Sequence, residues 1–142
     1  MWNRRRKASG AAEALPPPPS GQSPTLAAWR PRGGRRIWAG KNWLAVASTL
    51  GHKWVRTDEL VAVRWVIDGH IAMRDRQGRK LIVKPADLIE SPELLGVVTA
   101  AVRRSVAHGL FLGEMLREQF GLEEAESDHD PDPGPEYMGP LG

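Results

Sequence analysis

The sequence predicts a small α+β domain: an antiparallel meander of three to four strands covered by a C-terminal helix, with a possible helix before it. Three observations predict it. Leu60-Val61-Ala62-Val63-Arg64-Trp65-Val66-Ile67 crowds β-branched and aromatic residues into a window too short for a stable lone helix. Two tight-turn signals, Asp68-Gly69 and Asp75-Arg76-Gln77-Gly78, separate that window from two further alternating runs. Beyond them, Ser91-Pro92-Glu93 opens an amphipathic stretch that Gly109 closes.

Residues 1–36 read as a disordered, basic, proline-rich head without usable periodicity. Pro16-Pro17-Pro18-Pro19 favours an extended polyproline conformation, and Ser20-Gly21-Gln22-Ser23-Pro24 continues it as a spacer. Arg30-Pro31-Arg32-Gly33-Gly34-Arg35-Arg36 is a basic run punctuated by glycine, suited to phosphates or to solvent. Gly34 to Gly40-Lys41 invites comparison with a phosphate-binding loop. It fails, because the glycine spacing is one residue too long and Asn42 stands where Ser or Thr would hold magnesium.

Residues 37–121 read as the folded module. Asn42 suits a helix cap, with Trp43, Val46, Ala47 and Leu50 on one face and Gly51 as the stop. Val46, Ser48 and Thr49 disfavour helices and leave a strand open as the alternative. Lys53-Trp54-Val55-Arg56 is a short strand, and Thr57-Asp58 turns the chain into the meander. In the first meander strand Val61, Val63, Trp65 and Ile67 share one face, which points Trp65 at the core. Arg64 lies on the other face, among Leu60, Ala62 and Val66. Ile71 and Met73 alternate with His70, Ala72 and Arg74, and Arg79-Lys80-Leu81-Ile82-Val83-Lys84 returns as the third strand until Pro85 stops it.

In the helix, Ser91 caps the free amides, Pro92 fits the first turn and Glu93 suits the positive end of the dipole. Leu94, Leu95, Val97, Val98, Ala101, Val102 and Val106 fall on one half of the wheel, with Arg103 and Arg104 on the other. Leu112, Met115, Leu116 and Phe120 mark a second amphipathic helix ending near Gly121. Residues 122–142 are acidic and proline-rich, a composition that favours disorder.

Charge is distributed unevenly. The net charge is +3, made of about +8 over residues 1–50, +2 over 51–119 and −7 over 120–142. Cysteine is absent, which excludes disulfides, thiolate zinc sites and cysteine nucleophiles. Met1-Trp2-Asn3-Arg4-Arg5-Arg6-Lys7 is basic like the start of a signal peptide, but the stretch after it is broken by Glu13 and Pro16. No window approaches a membrane span. The expected location is the cytoplasm, with no membrane partner.

Catalytic signatures are missing. His52, His70, His108 and His129 share no metal-ligand spacing, and Asp58, Asp68, Asp75 and Asp87 all suit turns or caps. Ser105 falls on the buried arc of its helix, a poor place for a nucleophile. Neither an enzyme nor a cofactor or metal site is expected.

Trp54-Val55-Arg56-Thr57-Asp58-Glu59-Leu60-Val61, with Arg74-Asp75-Arg76-Gln77-Gly78, Ser91-Pro92-Glu93-Leu94 and Arg103-Arg104-Ser105, resembles blocks of small uncharacterised actinomycete proteins. Those have a Trp-x-x-Thr-Asp-x-Leu-Val block and an Arg-Asp-x-x-Gly hairpin. The resemblance covers residues 38–120 and departs at Ser91-Pro92, where Asn-Pro is usual, and at Leu95, where a tryptophan often stands. It implies the same module boundaries and no particular activity.

The functional expectation is a non-enzymatic adaptor that binds a protein partner. The alternative is a DNA- or RNA-associated accessory protein gripping phosphates through Arg4, Arg5, Arg6, Lys7, Arg30, Arg32, Arg35 and Arg36. No helix-turn-helix with a basic recognition helix is present in the sequence.

Overall fold

The meander expected after Thr57-Asp58 forms the second of two antiparallel sheets in the computed structural model, which describes residues 10–12 and 15–122. The first sheet has the order β1-β2-β3-β4-β5, with β1 Gly10–Ala12, β2 Thr25–Pro31, β3 Ile37–Gly40, β4 Trp43–Ser48 and β5 Gly51–Arg56. The second has the order β6-β7-β8, with β6 Leu60–Val66, β7 His70–Asp75 and β8 Lys80–Val83. Three helices follow: α1 Pro85–Ile89, α2 Pro92–Ala107 and α3 Glu114–Gln119. The fold is α+β. Two compact units divide the chain, one running through Phe111 and the other starting at Leu112.

Local signals behave as their chemistry requires. Asp68 and Gly69 both take positive φ, 69° and 72°, where the chain turns from β6 into β7. Gly78 does the same at 88° in the β7–β8 hairpin. The Ser91 hydroxyl accepts from the Leu94 amide at 3.3 Å, Pro92 occupies the first turn of α2, and Gly109 sits at φ 111° just past its end. Leu94, Val98, Ala101, Val102 and Ser105 form the buried stripe of α2. α2 packs chiefly on β2 and β3, with β4 and β6 at its margins. In the second unit Leu112, Leu116, Phe120 and Leu122 are buried and Met115, expected on the same face, is exposed. Pro85, read as a strand stop, also starts α1.

The stretch from Asn42 to Leu50 is a strand, not a capped helix. Two-residue loops, Lys41-Asn42 and Thr49-Leu50, join β4 to β3 and β5, with Gly40 opposite Trp43 and Ser48 opposite Gly51. Pairing on both edges satisfies the backbone, and alternation buries both faces at Trp43, Leu44 and Ala45. Propensity alone leaves that choice open; the neighbouring strands decide it.

The proline-rich stretch corrects a second expectation. Residues 16–31, read as part of a spacer head, belong to the first unit, and Thr25–Pro31 is itself a strand. Pro16 and Pro19 are buried. The Trp38 indole N–H donates to the Pro17 carbonyl at 3.2 Å and the Trp43 indole N–H to the Ser23 carbonyl at 2.9 Å. The Thr25 hydroxyl donates to the Pro16 carbonyl, and the Ser23 hydroxyl to Asn42 Oδ1 at 3.1 Å. Polyproline backbone makes no hydrogen bonds within itself, so its carbonyls stay open to indole donors. Trp38, Trp43, Ala28 and Ala45 cluster on this face, with Ala47 and Trp54 packed against them. Ala27, Ile37, Ala39, Leu44 and Val55 alternate with them and are buried on the opposite face.

Trp65 lies on the inward face as expected, opposite Ile71 and in line with buried Val63, but its burial is incomplete. It is only half-buried, and its indole nitrogen is enclosed without a hydrogen-bond partner. A register shift between Leu60 and Ala62 buries Leu60 while leaving Val61 exposed, and Ile67 leaves the strand for the turn. The fully enclosed tryptophan is Trp43, at 0% exposure.

Candidate anionic-partner site on the meander

The β6–β8 hairpins are held to the first sheet by one buried carboxylate. Asp75 has no exposed side-chain surface, and its Oδ2 accepts from the Arg56 backbone amide and from Arg79 Nε, both at 2.9 Å. Its Oδ1 accepts from the amides of Gln77 at 3.0 Å and Arg79 at 2.9 Å. Asp75 thus closes the β7–β8 turn and ties it to β5. The Arg79 guanidinium lies 4.0 Å over the Trp54 ring. Arg56 grips Asp58 through two bonds of 3.0 Å, and that bond, with the nearby acids, raises its already high pKa against the opposing effect of burial. Ser105 acts as a pin from α2: its buried hydroxyl accepts from the Leu60 amide at 2.9 Å and donates to the Thr57 carbonyl at 2.7 Å.

With that frame in place, two-residue alternation sorts the meander's side chains. Val63, Ile71, Met73, Leu81 and Val83 point inward and are buried. The outward face follows from the register. Ala62 lies opposite Arg74, which lies opposite Lys80; Arg64 lies opposite Ala72, which lies opposite Ile82. Two small alanines therefore sit among Arg64, Arg74 and Lys80, all exposed, beside Ile82 at 58% exposure. Among the described residues these three cations have no carboxylate partner.

Two open hollows meet at β8. One, of about 320 Å³, is lined by Ala62, Arg64, Ala72, Arg74, Lys80 and Ile82 along with inward-pointing Met73 and Leu81. The other, of about 630 Å³, runs from Lys80, Leu81 and Ile82 to the β4–β5 tip, where Val46, Leu50, Arg35 and Lys53 line it. Neither hollow is lined by a carboxylate or by an aromatic side chain. At the far end of the meander the charge is balanced: Asp87 in α1 lies near Lys84 and His70. Burial raises the Asp87 carboxyl above the usual carboxylate range against the pull of Lys84, and Glu90 adds to the rise while His70 opposes it.

The residues expected to contact phosphates are scattered. Arg4, Arg5, Arg6 and Lys7 lie outside the described residues. Arg30 and Arg32 are exposed, on β2 and in the turn after it. Arg36 lies 5.1 Å over the Trp38 ring, so part of its role is packing. Among the described members of that set only Arg35 joins the basic hollow, where its guanidinium also reaches the Ala47 carbonyl at 3.4 Å. Arg64, Arg74 and Lys80, which carry the basic face, were not singled out in the sequence as a site. Their alternation was visible, but their shared exposure depends on which face the first sheet covers.

A third hollow, of about 150 Å³, brings Asp58, Glu59, Ser105 and His108 to one place. The Ser105 proton is committed to the Thr57 carbonyl and the Asp58 carboxylate to Arg56, which leaves neither poised for chemistry. Among the described residues no group of three or more His, Asp or Glu is arranged to hold a metal ion, and no helix is long and apolar enough to cross a membrane. Compared with protein-family models, curated proteins and solved structures, the chain matches none.

Proposed function

We propose that this chain is a non-enzymatic interaction module of the cytoplasm that docks an anionic partner on the outer face of its meander. One observation carries the reading: Arg64, Arg74 and Lys80 surround an aliphatic floor with no carboxylate lining either hollow. Unpaired cations on an open face attract an anionic partner over a Debye length and select against basic ones. The engagement of Asp58, Asp75 and Ser105 in structural bonds supports the non-enzymatic part of the reading.

The test is an NMR titration of the isotope-labelled chain with polyglutamate. Amide shifts are expected at Arg64, Arg74, Lys80 and Lys53, fading as salt rises. Shifts confined to Arg30–Arg36 would move the site to the basic run, and the absence of shifts on the meander would refute the reading.

A further inference from the structure

We infer that the chain's own acidic segment, residues 123–136, occupies the outer face of the meander, so that an anionic partner has to displace it. The inference rests on the basic-face reading and names the regulation of that site. The strand register places three like charges together. Arg74 lies directly opposite Lys80, and Arg64 is two residues along β6 from Ala62, the cross-strand partner of Arg74. Directly opposed side chains are about 4.5–5.5 Å apart at Cβ and diagonal ones about 7–8 Å, and opposed like charges destabilise a sheet. All three side chains are exposed, and among the described residues none has a carboxylate partner. An anion that carries several charges at a similar spacing relieves all three at once.

The sequence beyond Leu122, the last described residue, holds such an anion. Glu124, Glu126, Asp128, Asp130 and Asp132 stand at every second position, between Ala125, Ser127, His129 and Pro131. When a segment of that pattern is extended, its carboxylates share one side at intervals of about 6.6 Å. That interval falls between the opposed and the diagonal spacings of the cations. Pro131, Pro133 and Pro135 favour extended backbone, and no Lys or Arg within the segment competes for the carboxylates. Residues 123–132 can extend about 33 Å from Leu122, against a radius of gyration of about 13 Å for a unit of ~100 residues. Tethering raises the local concentration of a flexible segment to the order of 1 mM, so contacts too weak to last between separate molecules are populated within one chain. The competing seat, the basic run from Arg30 to Arg36, has cations already engaged. Arg36 stacks on Trp38 and Arg35 reaches the Ala47 carbonyl.

The experiment uses the full chain. Cysteine is absent, so Ser127→Cys carries a nitroxide at a single place, and paramagnetic broadening of the isotope-labelled chain maps where the segment rests. Broadening is expected at residues 62–64, 72–74 and 80–82 in dilute salt, and is lost at about 1 M salt, where the Debye length is ~3 Å. Neutralising the segment, with Glu124→Gln, Glu126→Gln, Asp128→Asn, Asp130→Asn and Asp132→Asn together, should raise the affinity for polyglutamate roughly tenfold. That is the effect of removing a tethered competitor at about 1 mM whose Kd is ~0.1 mM. Joint Arg74→Glu and Lys80→Glu replacement should abolish both the broadening and the difference between acidic and neutralised segments. Both side chains are exposed, and unchanged far-UV circular dichroism would verify that the variant folds. Broadening confined to Arg30–Arg36, or broadening of the meander that fades on dilution, would overturn the inference. So would a gain in polyglutamate affinity that survives Arg74→Glu and Lys80→Glu, which a general charge effect explains. If the segment leaves the meander unbroadened while polyglutamate still shifts Arg64, Arg74 and Lys80, the inference falls and the basic face stands. If neither the segment nor polyglutamate touches those residues, both readings fall.

Discussion

Replacing Asp75 by Asn would probe the joint between the two sheets with almost no change in volume. The carboxylate is fully enclosed and accepts from Arg56 N, Gln77 N, Arg79 N and Arg79 Nε. An amide has one accepting oxygen. Whichever way Asn rotates, its NH2 group faces two of those donors, and the charge opposite Arg79 is gone. Hydrogen bonds to a charged group contribute about 1.5–3 kcal/mol each, so losing two predicts a destabilisation of roughly 3–6 kcal/mol. That is a large part of the ~5–15 kcal/mol that holds a domain of this size together. Arg79→Ala supplies the comparison. Its side chain is 34% exposed, and Asp75 keeps three backbone donors without it, so the loss should be smaller, at about 1–2 kcal/mol. Tryptophan fluorescence in urea would measure both. A loss under about 1 kcal/mol for Asp75→Asn, or a larger loss for Arg79→Ala, would refute the reasoning and leave burial of the meander's inner face as the main joint.

Trp43→Ala should cost about 3–5 kcal/mol, and Trp65→Ala clearly less, because Trp43 is wholly enclosed and Trp65 is not; urea midpoints of the two variants give the order. Gly40→Ala should destabilise strongly, since an added Cβ would lie 2.3 Å from the Trp43 indole nitrogen and 2.7 Å from the Pro24 carbonyl; a normal melting temperature would show that the proline-rich strap yields easily. Asp87 binds its proton more tightly in the folded chain, so its contribution to stability falls as pH rises from the ordinary carboxylate value through the raised one. Asp87→Asn should therefore flatten that fall and be more stable than the parent at neutral pH, with little difference well below the ordinary value; equal pH profiles by thermal melting would count against it.

Local chemistry was legible in the residues themselves. Asp68-Gly69 and Gly78 announce turns because few residues tolerate positive φ, and Ser91-Pro92 with Gly109 brackets α2 because helix ends need partners for open amides and carbonyls. The alternation that separates Arg64, Arg74 and Lys80 from Val63, Met73 and Leu81 is equally local, and it supplies the ingredients of the basic face. Alternation states that a strand has two faces and does not say which one meets water. The first sheet decides that, by packing β4 and β5 near β8 and pinning the β7–β8 turn to β5 through Asp75.

The same limit explains the proline strap and the tryptophans. Pro16-Pro17-Pro18-Pro19 has no period and no internal hydrogen bonds, so nothing along the chain shows that Trp38 and Trp43, some twenty residues away, donate to the segment's carbonyls. Trp43 lies in a window whose propensities allow helix or strand, and only pairing with β3 and β5 settles it. Trp65 lies in an unambiguous strand and on its inward face, yet the cover available to it there sets how far it is buried. Turns, caps and strand periods rest on neighbours along the chain, so the sequence determined them; burial, cross-sheet bonds and the exposed basic face rest on residues distant in sequence, and only the tertiary structure decided them.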